Sequence, residues 1–268
     1  MLRAVAVDLD GTLLRSDQTV SGRTAAALAA VVRAGLRVVI VTARPPRTVD
    51  ILAAAAGLTG SAVCSNGAIL YDIDSQALDI VGPLPLDVAE RAARTIAEVM
   101  PGAAFAIETG RRVLRDEAYR HMATLESARE VVADLWLTSE ECVKLLAWSP
   151  APVTGDMLAR LRDAVPEVVV HYSGGPGLIE ISAAGVTKVS GLERLCGPWG
   201  IAADEVIAFG DMPNDLDVLR WAGTGVAVAN AHPDVLAEMR ARGGRITGAN
   251  DDDGVAMVLE EILVVPQP

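Results

Sequence analysis

Short apolar runs alternate with segments of helical periodicity through the first third of the chain. Runs of the kind that form buried strands occupy residues 4–7, 36–42 and 61–65. Helices are predicted between them, at 22–34 and 46–56. Strands that alternate with helices are joined by right-handed crossovers, and they pair as a parallel sheet with helices against it. The pattern therefore predicts an α/β fold with a doubly wound parallel-sheet core.

Capping and turn residues mark the ends of these elements. Ser21 is suited to cap the first helix, and Gly35 follows that helix. Asn66-Gly67 is a dipeptide typical of hairpin turns, so residues 69–71 are expected to return as a strand beside the third run.

The middle of the chain departs from this alternation. It begins after a linker-like segment, Gly82-Pro83-Leu84-Pro85, and returns through Ala183-Ala184-Gly185. Between them the pattern predicts helices at 86–99 and 154–164, a polar helical stretch to about 135, and strands at 103–108, 111–116, 142–148, 167–173 and 177–182. Gly174-Gly175-Pro176 is expected to connect the last two strands tightly. This mixture predicts an inserted α+β domain with helices on one side of a sheet.

Strands are predicted again at 205–210 and 225–229, so the chain returns to its first domain. The prediction is a discontinuous core of residues 1–83 and 186–268, with an inserted domain at 84–185.

Composition narrows the classes of partner. Hydrophobic residues make up 51% of the 268 residues but aromatic residues only 3%, which favours a core of aliphatic side chains. The formal net charge of −12 argues against nucleic acid or an anionic membrane as partner. The three cysteines are widely spaced and no signal peptide or apolar span is visible, so a reducing, cytoplasmic location is expected. The sequence does not indicate an oligomeric state.

Two carboxylates follow the first strand. Asp8 and Asp10 are two positions apart, a spacing that directs side chains to one face, and Gly11 permits a sharp turn. Close carboxylates beside free backbone N–H groups suit Mg²⁺, and they also suit nucleophilic attack with acid/base help. An ordinary Asp-Gly turn is the alternative explanation.

Three further polar groups stand at the exits of strands or the start of a helix. Thr42 ends the second strand, Lys188 opens a helical stretch, and Asp211 follows the run at 205–210. In open α/β sheets, ligands bind outside the carboxyl ends of the strands. These groups are therefore expected to converge on one crevice.

The order of these motifs resembles the haloacid dehalogenase superfamily, specifically Cof-type phosphatases with a large inserted cap of type C2. The resemblance rests on Asp8-Leu9-Asp10-Gly11-Thr12, Thr42-Ala43-Arg44, Ser65-Asn66-Gly67-Ala68, Lys188 and Gly210-Asp211-Met212-Pro213-Asn214-Asp215. It covers both ends of the chain in detail and the middle by length and pattern.

The resemblance implies a role for each of four residues. Asp8 would attack phosphorus and form an aspartyl phosphate. Asp10 would act as general acid and then as base, and its backbone carbonyl would bind Mg²⁺. Thr42 would donate a hydrogen bond to the phosphoryl group. Lys188 would neutralise phosphoryl charge and hold Asp8.

Five other residues complete the expected site. Asp211 would join Asp8 and Asp10 as a metal ligand, and Asp215 would orient the metal or a metal-bound water. Asn214 would contact phosphate or such a water, and helix N-capping is the alternative role for Asn214 and Asp215. Arg44 and Asn66 are candidates for the substrate rim, with a surface role as the alternative for Arg44.

The resulting hypothesis is a Mg²⁺-dependent phosphatase for small phosphorylated metabolites, sugar phosphates first among them. Bound cation and local basic groups would offset the repulsion between an acidic chain and an anionic substrate. The alternatives are a phosphotransferase or phosphohexomutase using the same aspartyl phosphate, and a non-catalytic phosphate-binding regulatory protein. A dinucleotide-binding fold is disfavoured because the first turn carries acids rather than a glycine-rich motif.

Overall fold

Two β-sheets and eight helices form the computed structural model, which describes residues 1–121, 128–172 and 177–264. The strands are β1 Ala4–Val7, β2 Arg37–Val41, β3 Ser61–Cys64, β4 Ile69–Asp72, β5 Leu78–Ile80, β6 Ala104–Glu108, β7 Val113–Arg115, β8 Arg129–Val131, β9 Lys144–Trp148, β10 Val168–His171, β11 Leu178–Ala183, β12 Val206–Gly210, β13 Thr224–Ala227 and β14 Arg245–Ile246. The helices are α1 Gly22–Arg33, α2 Pro46–Ala56, α3 Leu86–Val99, α4 Gly155–Ala164, α5 Lys188–Cys196, α6 Leu216–Trp221, α7 Pro233–Ala241 and α8 Gly254–Val264.

The larger sheet has the order β14-β13-β12-β1-β2-β3-β4-β5. Its first six strands are parallel, while β4 and β5 add antiparallel pairs at one edge. β1 is buried along its whole length and lies between β2 and β12. The chain extends from β1 in one direction and later from β12 in the other, so the sheet has a topological switch point beside β1. The expected doubly wound core is confirmed.

The smaller sheet has the order β10-β11-β9-β6-β7-β8 and supplies the cap. Helices α3 and α4 contact each other and the sheet, and they cover the face that carries Ile107, Leu145 and Ile181. The opposite face carries Glu108, Lys144 and further polar side chains, because residues alternate across a strand. The α+β cap is confirmed, and its limits at 84 and 185 stay predictions.

Local capping explains why several predicted helices match closely. The Ser21 hydroxyl accepts a hydrogen bond from the Thr24 amide, and α1 begins directly after it. Gly57 ends α2 in the left-handed conformation. α2 and α3 have the predicted bounds. No helix in the described part of the chain is both long and apolar enough to cross a membrane.

The predicted polar helix up to residue 135 is wrong where the structure describes it. Residues 129–131 form β8, which pairs in parallel with β7, and a single short turn occupies 135–137. This edge strand is half exposed and charged, so it lacks the apolar alternation by which strands are recognised. Residues 122–127, and the expected connection at 174–176, lie outside the described residues.

Candidate active site

The turn after β1 brings the first motif against the strand end of β12. Asp8 is buried directly after Val7, and residues Leu9–Leu13 form a wide turn. Gly11 has a φ of 71°, and a Cβ there would lie 2.4 Å from Asp211 Oδ2. A side chain at position 11 would therefore collide with the second acidic motif, which explains the glycine.

Lys188 is the centre of a buried ion-pair network. Its Nζ donates to Asp8 Oδ1 at 2.6 Å and to Asp215 Oδ1 at 2.5 Å. The residue opens α5, whose start is fixed by reciprocal hydrogen bonds between Thr187 and Ser190. Burial alone would lower the pKa of Lys188, but the two carboxylates raise it above its usual value. The lysine is thus held charged at a fixed point.

Asp211 and Asp215 are held by the turn after β12. Asp215 Oδ2 accepts hydrogen bonds from the amides of Asp211 and Met212, at 3.1 and 3.0 Å. The Thr12 hydroxyl donates to Asp211 Oδ1 at 2.9 Å. These bonds tie the first and last motifs of the chain to one another.

Three carboxylates form the feature that best fits a cation. Oxygens of Asp8, Asp211 and Asp215 all lie within 4.8 Å of one another. Burial and mutual repulsion raise the pKa of Asp8 well above its usual value, and burial and Asp215 raise the pKa of Asp211 to about 7. One ammonium cannot balance three buried carboxylates, so the donor set fits a hard divalent ion such as Mg²⁺.

Asp10 stands apart from this group. Its carboxylate accepts a two-pronged ion pair from Arg44, whose guanidinium also donates to Gln18 Oε1 at 2.6 Å. The Asp10 side chain is 48% exposed, so it faces the open side of the site. Arg44, expected at the substrate rim, is thus bound to the expected acid/base residue.

Thr42 and Asn66 lie on neighbouring turns. The Thr42 hydroxyl oxygen accepts from the Arg44 amide at 3.0 Å, which leaves its proton available for donation. Asn66 is fully buried rather than on a rim, and its Nδ2 donates to Glu180 Oε2 of the cap at 3.0 Å. Within the described residues, Asn66 Oδ1 and Asn214 Oδ1 are buried without a hydrogen-bond partner.

A cavity of about 730 Å³ opens between the cap and the core. Lys188 and Asn214 line it from the core, and His171 and Tyr172 line it from the cap. Of the ion-pair network, Lys188 is the residue that lines this cavity.

Cap residues that contact the core were missed by sequence reasoning. Glu108, Lys144 and Glu180 are buried charges on the cap face that points to the core. A charged residue inside an apolar strand, as in Val143-Lys144-Leu145-Leu146, was the available signal.

The chain was compared with known protein families to ask where this arrangement of residues occurs. The model of the haloacid dehalogenase-like hydrolases matches residues 5–259. The chain belongs to this family. The match spans the core motifs and the cap alike, and it confirms the Cof-type resemblance.

Curated relatives of this haloacid dehalogenase-like hydrolase are phosphatases. The chain is 29% identical to a 5-amino-6-(5-phospho-D-ribitylamino)uracil phosphatase of Bacillus subtilis, over 96% of each chain. It is 28% identical to a pyridoxal phosphate phosphatase of Escherichia coli, over 98% of this chain and 99% of the relative. The expected enzyme class, a phosphoric monoester hydrolase, is confirmed.

Solved structures support the fold. A haloacid dehalogenase-like hydrolase from B. subtilis superimposes with a TM-score of 0.81 at 23% identity, and covers 97% of this chain and 100% of its own. A second, from Bacteroides thetaiotaomicron, gives a TM-score of 0.76 at 24% identity, over 98% and 100%. Both coverages include the cap as well as the core.

Proposed function

We propose that the protein is a Mg²⁺-dependent phosphatase that hydrolyses small phosphorylated metabolites through an aspartyl phosphate on Asp8. The observation that carries the proposal is the buried ion pair between Asp8 and Lys188 inside the carboxylate group. A nucleophilic carboxylate needs a fixed orientation and a nearby positive charge for the phosphoryl oxygens, and Lys188 supplies both.

In the first step, an Asp8 oxygen attacks phosphorus. Asp8 Oδ1 is bound to Lys188, so Oδ2 is the attacking atom. The new bond joins Asp8 to phosphorus while the ester P–O bond breaks, and protonated Asp10 gives its proton to the departing oxygen. The Thr42 hydroxyl donates to a phosphoryl oxygen, and Lys188 offsets the charge that develops there.

In the second step, water attacks the phosphorus of the aspartyl phosphate. Asp10 takes a proton from this water, the bond to Asp8 breaks, and inorganic phosphate leaves. The two-pronged contact with Arg44 orients the Asp10 carboxyl group for both transfers. Asp8, Asp211 and the Asp10 carbonyl would hold Mg²⁺, with Asp215 behind them. The ion would supply positive charge to the phosphoryl group.

The substrate class is proposed at the level of small phosphate monoesters. Relatives are named for substrates as different as a ribitylaminouracil phosphate, pyridoxal phosphate and phosphoglycolate. The sugar-phosphate preference thus stays a prediction. A panel of phosphorylated metabolites, ranked by kcat/KM and including sugar phosphates and the three compounds above, tests it.

Release of phosphate from an aryl phosphate tests the reaction itself. We expect turnover with Mg²⁺, none after EDTA, and recovery when Mg²⁺ is restored. Asp8→Asn should abolish turnover because the amide is a poor nucleophile, whereas Asp79→Asn, at an exposed position on the edge strand β5, should behave as wild type. Full activity of Asp8→Asn, or turnover in chelated buffer, would contradict the proposal.

A further inference from the structure

One cap side chain reaches directly into the second motif of the core. Lys144, on β9, is 3% exposed. Its Nζ forms an ion pair with Glu180 of β11 and donates to the backbone carbonyl of Ala43 at 2.8 Å. Ala43 lies between Thr42, which donates to the phosphoryl group in the proposed function, and Arg44.

The turn at residues 42–44 has three successive carbonyls that all accept hydrogen bonds. The Thr42 carbonyl accepts from the Asn66 amide at 3.1 Å, and the Arg44 carbonyl accepts from the Ser65 amide at 3.0 Å. Those two bonds come from within the core. The middle carbonyl, that of Ala43, is held from the cap by Lys144.

The same cap network also supports the neighbouring turn. Glu180 accepts from Asn66 Nδ2 at 3.0 Å while it pairs with Lys144. Ser65 and Asn66 have φ values of 51° and 57°, in the left-handed region that is unfavourable for serine and more readily adopted by asparagine. Lys144 and Glu180 therefore act on both turns that surround Thr42.

Stability alone is a poor reason for this ion pair. Removing two charges from water costs about as much as their attraction returns, and apolar residues often replace such a pair without loss. Burial alone would raise the pKa of Glu180, but Lys144 and the Asn66 hydrogen bond lower it, so the Glu180 carboxylate is held ionised. What an apolar pair cannot supply is a directed hydrogen bond to the Ala43 carbonyl.

We propose that Lys144 is a positioning residue: its bond to Ala43 holds the phosphate-binding turn in its productive geometry when the cap contacts the core. The inference rests on the proposed function for the meaning of that turn. It predicts that the cap contributes to the chemical step even with substrates too small to touch it.

The chain offers a matched control at the same interface. Arg47 of α2 forms a two-pronged ion pair with Glu108 of β6, with both distances 2.7 Å. This pair also joins core to cap and is largely buried, but it ends on a helix rather than on the turn. Weakening it loosens the same interface without touching Ala43.

The experiment compares two double variants, Lys144→Met with Glu180→Gln, and Arg47→Met with Glu108→Gln. Each removes both charges of its pair, so neither member of a pair is left without the other. The amide that replaces the Glu180 carboxylate keeps an oxygen that can accept from Asn66. Hydrogen exchange is measured at the amides of Arg44, Ser65 and Asn66. Steady-state kinetics are measured with p-nitrophenyl phosphate.

We expect the Lys144 variant to exchange these amides faster and to lose kcat by about tenfold or more, with little change in KM. The Arg47 variant should keep wild-type exchange there and wild-type kcat. If the Lys144 variant does not fold, Lys144→Arg, which keeps the charge but displaces the donor from Ala43, is measured for the same exchange.

Unchanged exchange in a folded Lys144 variant, or equal effects in both variants, would overturn the inference. If the Lys144 variant exchanges these amides faster but the wild-type protein has no phosphatase activity, the proposed function is contradicted instead. The two failures are therefore distinguishable.

Discussion

Asp215 has a separate partner at each oxygen. Oδ1 accepts from Lys188, and Oδ2 accepts from the amides of Asp211 and Met212. An asparagine would direct its NH₂ group either at the Lys188 ammonium or at the two backbone amides, all of which are donors. Only a carboxylate can therefore accept hydrogen bonds at both of its oxygens here. This residue fixes the lysine and the metal-facing turn at once, which fits the orienting role proposed for it.

The covalent step makes a prediction at the residue scale. Asp10→Asn should leave Asp8 bound to Lys188 but lack a base for the second step and an acid for the first. A substrate with a good leaving group bypasses the missing acid, so a phosphoenzyme should accumulate with p-nitrophenyl phosphate. Rapid quench and peptide mass spectrometry should find the phosphate on Asp8.

Two outcomes of the trapping experiment would contradict the role of Asp8 as nucleophile. A phosphate on another side chain would move the nucleophile away from Asp8. Absence of any adduct, with near-normal turnover by Asp8→Asn, would exclude covalent catalysis by this residue. Wild-type protein quenched in parallel is the control, because its Asp10 should keep the adduct short-lived.

At the scale of elements, the sequence predicted best where one segment determines its own structure. The apolar run before Asp8 and the helix-capping residue Ser21 act locally. The strand β1 and the helix α1 that they mark are both present. β8 was missed because its charged residues form a strand only beside β7. The contact between Lys144 and Ala43 joins residues far apart in sequence, so no local pattern indicates it.

His171, on strand β10 of the cap, should make the stability of the fold depend on pH. Burial lowers the pKa of His171 to about 4 from its usual 6.5, and within the described residues its Nε2 has no hydrogen-bond partner. Between these values the unfolded chain binds a proton that the folded protein does not. Folded stability must therefore fall as pH drops from about 6.5 to about 4, by roughly 3 kcal/mol for this group.

Replacing this histidine isolates its contribution. His171→Gln is neutral at every pH, so its unfolding free energy should decline less than that of wild type across this window. Urea unfolding of both proteins from pH 7.5 to pH 4 measures the difference, and the acidic groups common to both cancel. Parallel curves would show that His171 titrates alike in the folded and unfolded chain.

At the scale of the whole molecule, the chain has a net charge of −12. Three of its carboxylates, those of Asp8, Asp211 and Asp215, are clustered at one place. These carboxylates come from opposite ends of the chain, so folding brings them together against their repulsion. A site arranged for function is often less stable than it could be. Without a cation, this group should therefore cost folding free energy.

The last prediction tests this loss of folding free energy by thermal melting. At pH 8, Asp211→Asn should melt at a higher temperature than wild type in chelated buffer, because a neutral side chain replaces a buried, repelled carboxylate and still accepts from Thr12. Mg²⁺ at about a hundred times its Kd should stabilise wild type by about 2.7 kcal/mol, and raise its Tm by about 5 to 10 °C. The variant should gain far less, so the order of the two melting temperatures reverses. NaCl of equal ionic strength controls for screening, and Asp79→Asn, at an exposed position on β5, controls for loss of a charge. If Asp211→Asn is the less stable protein without metal, repulsion at this carboxylate does not lower the stability of wild type. If the variant gains as much from Mg²⁺ as wild type does, Asp211 is not the ligand proposed for it.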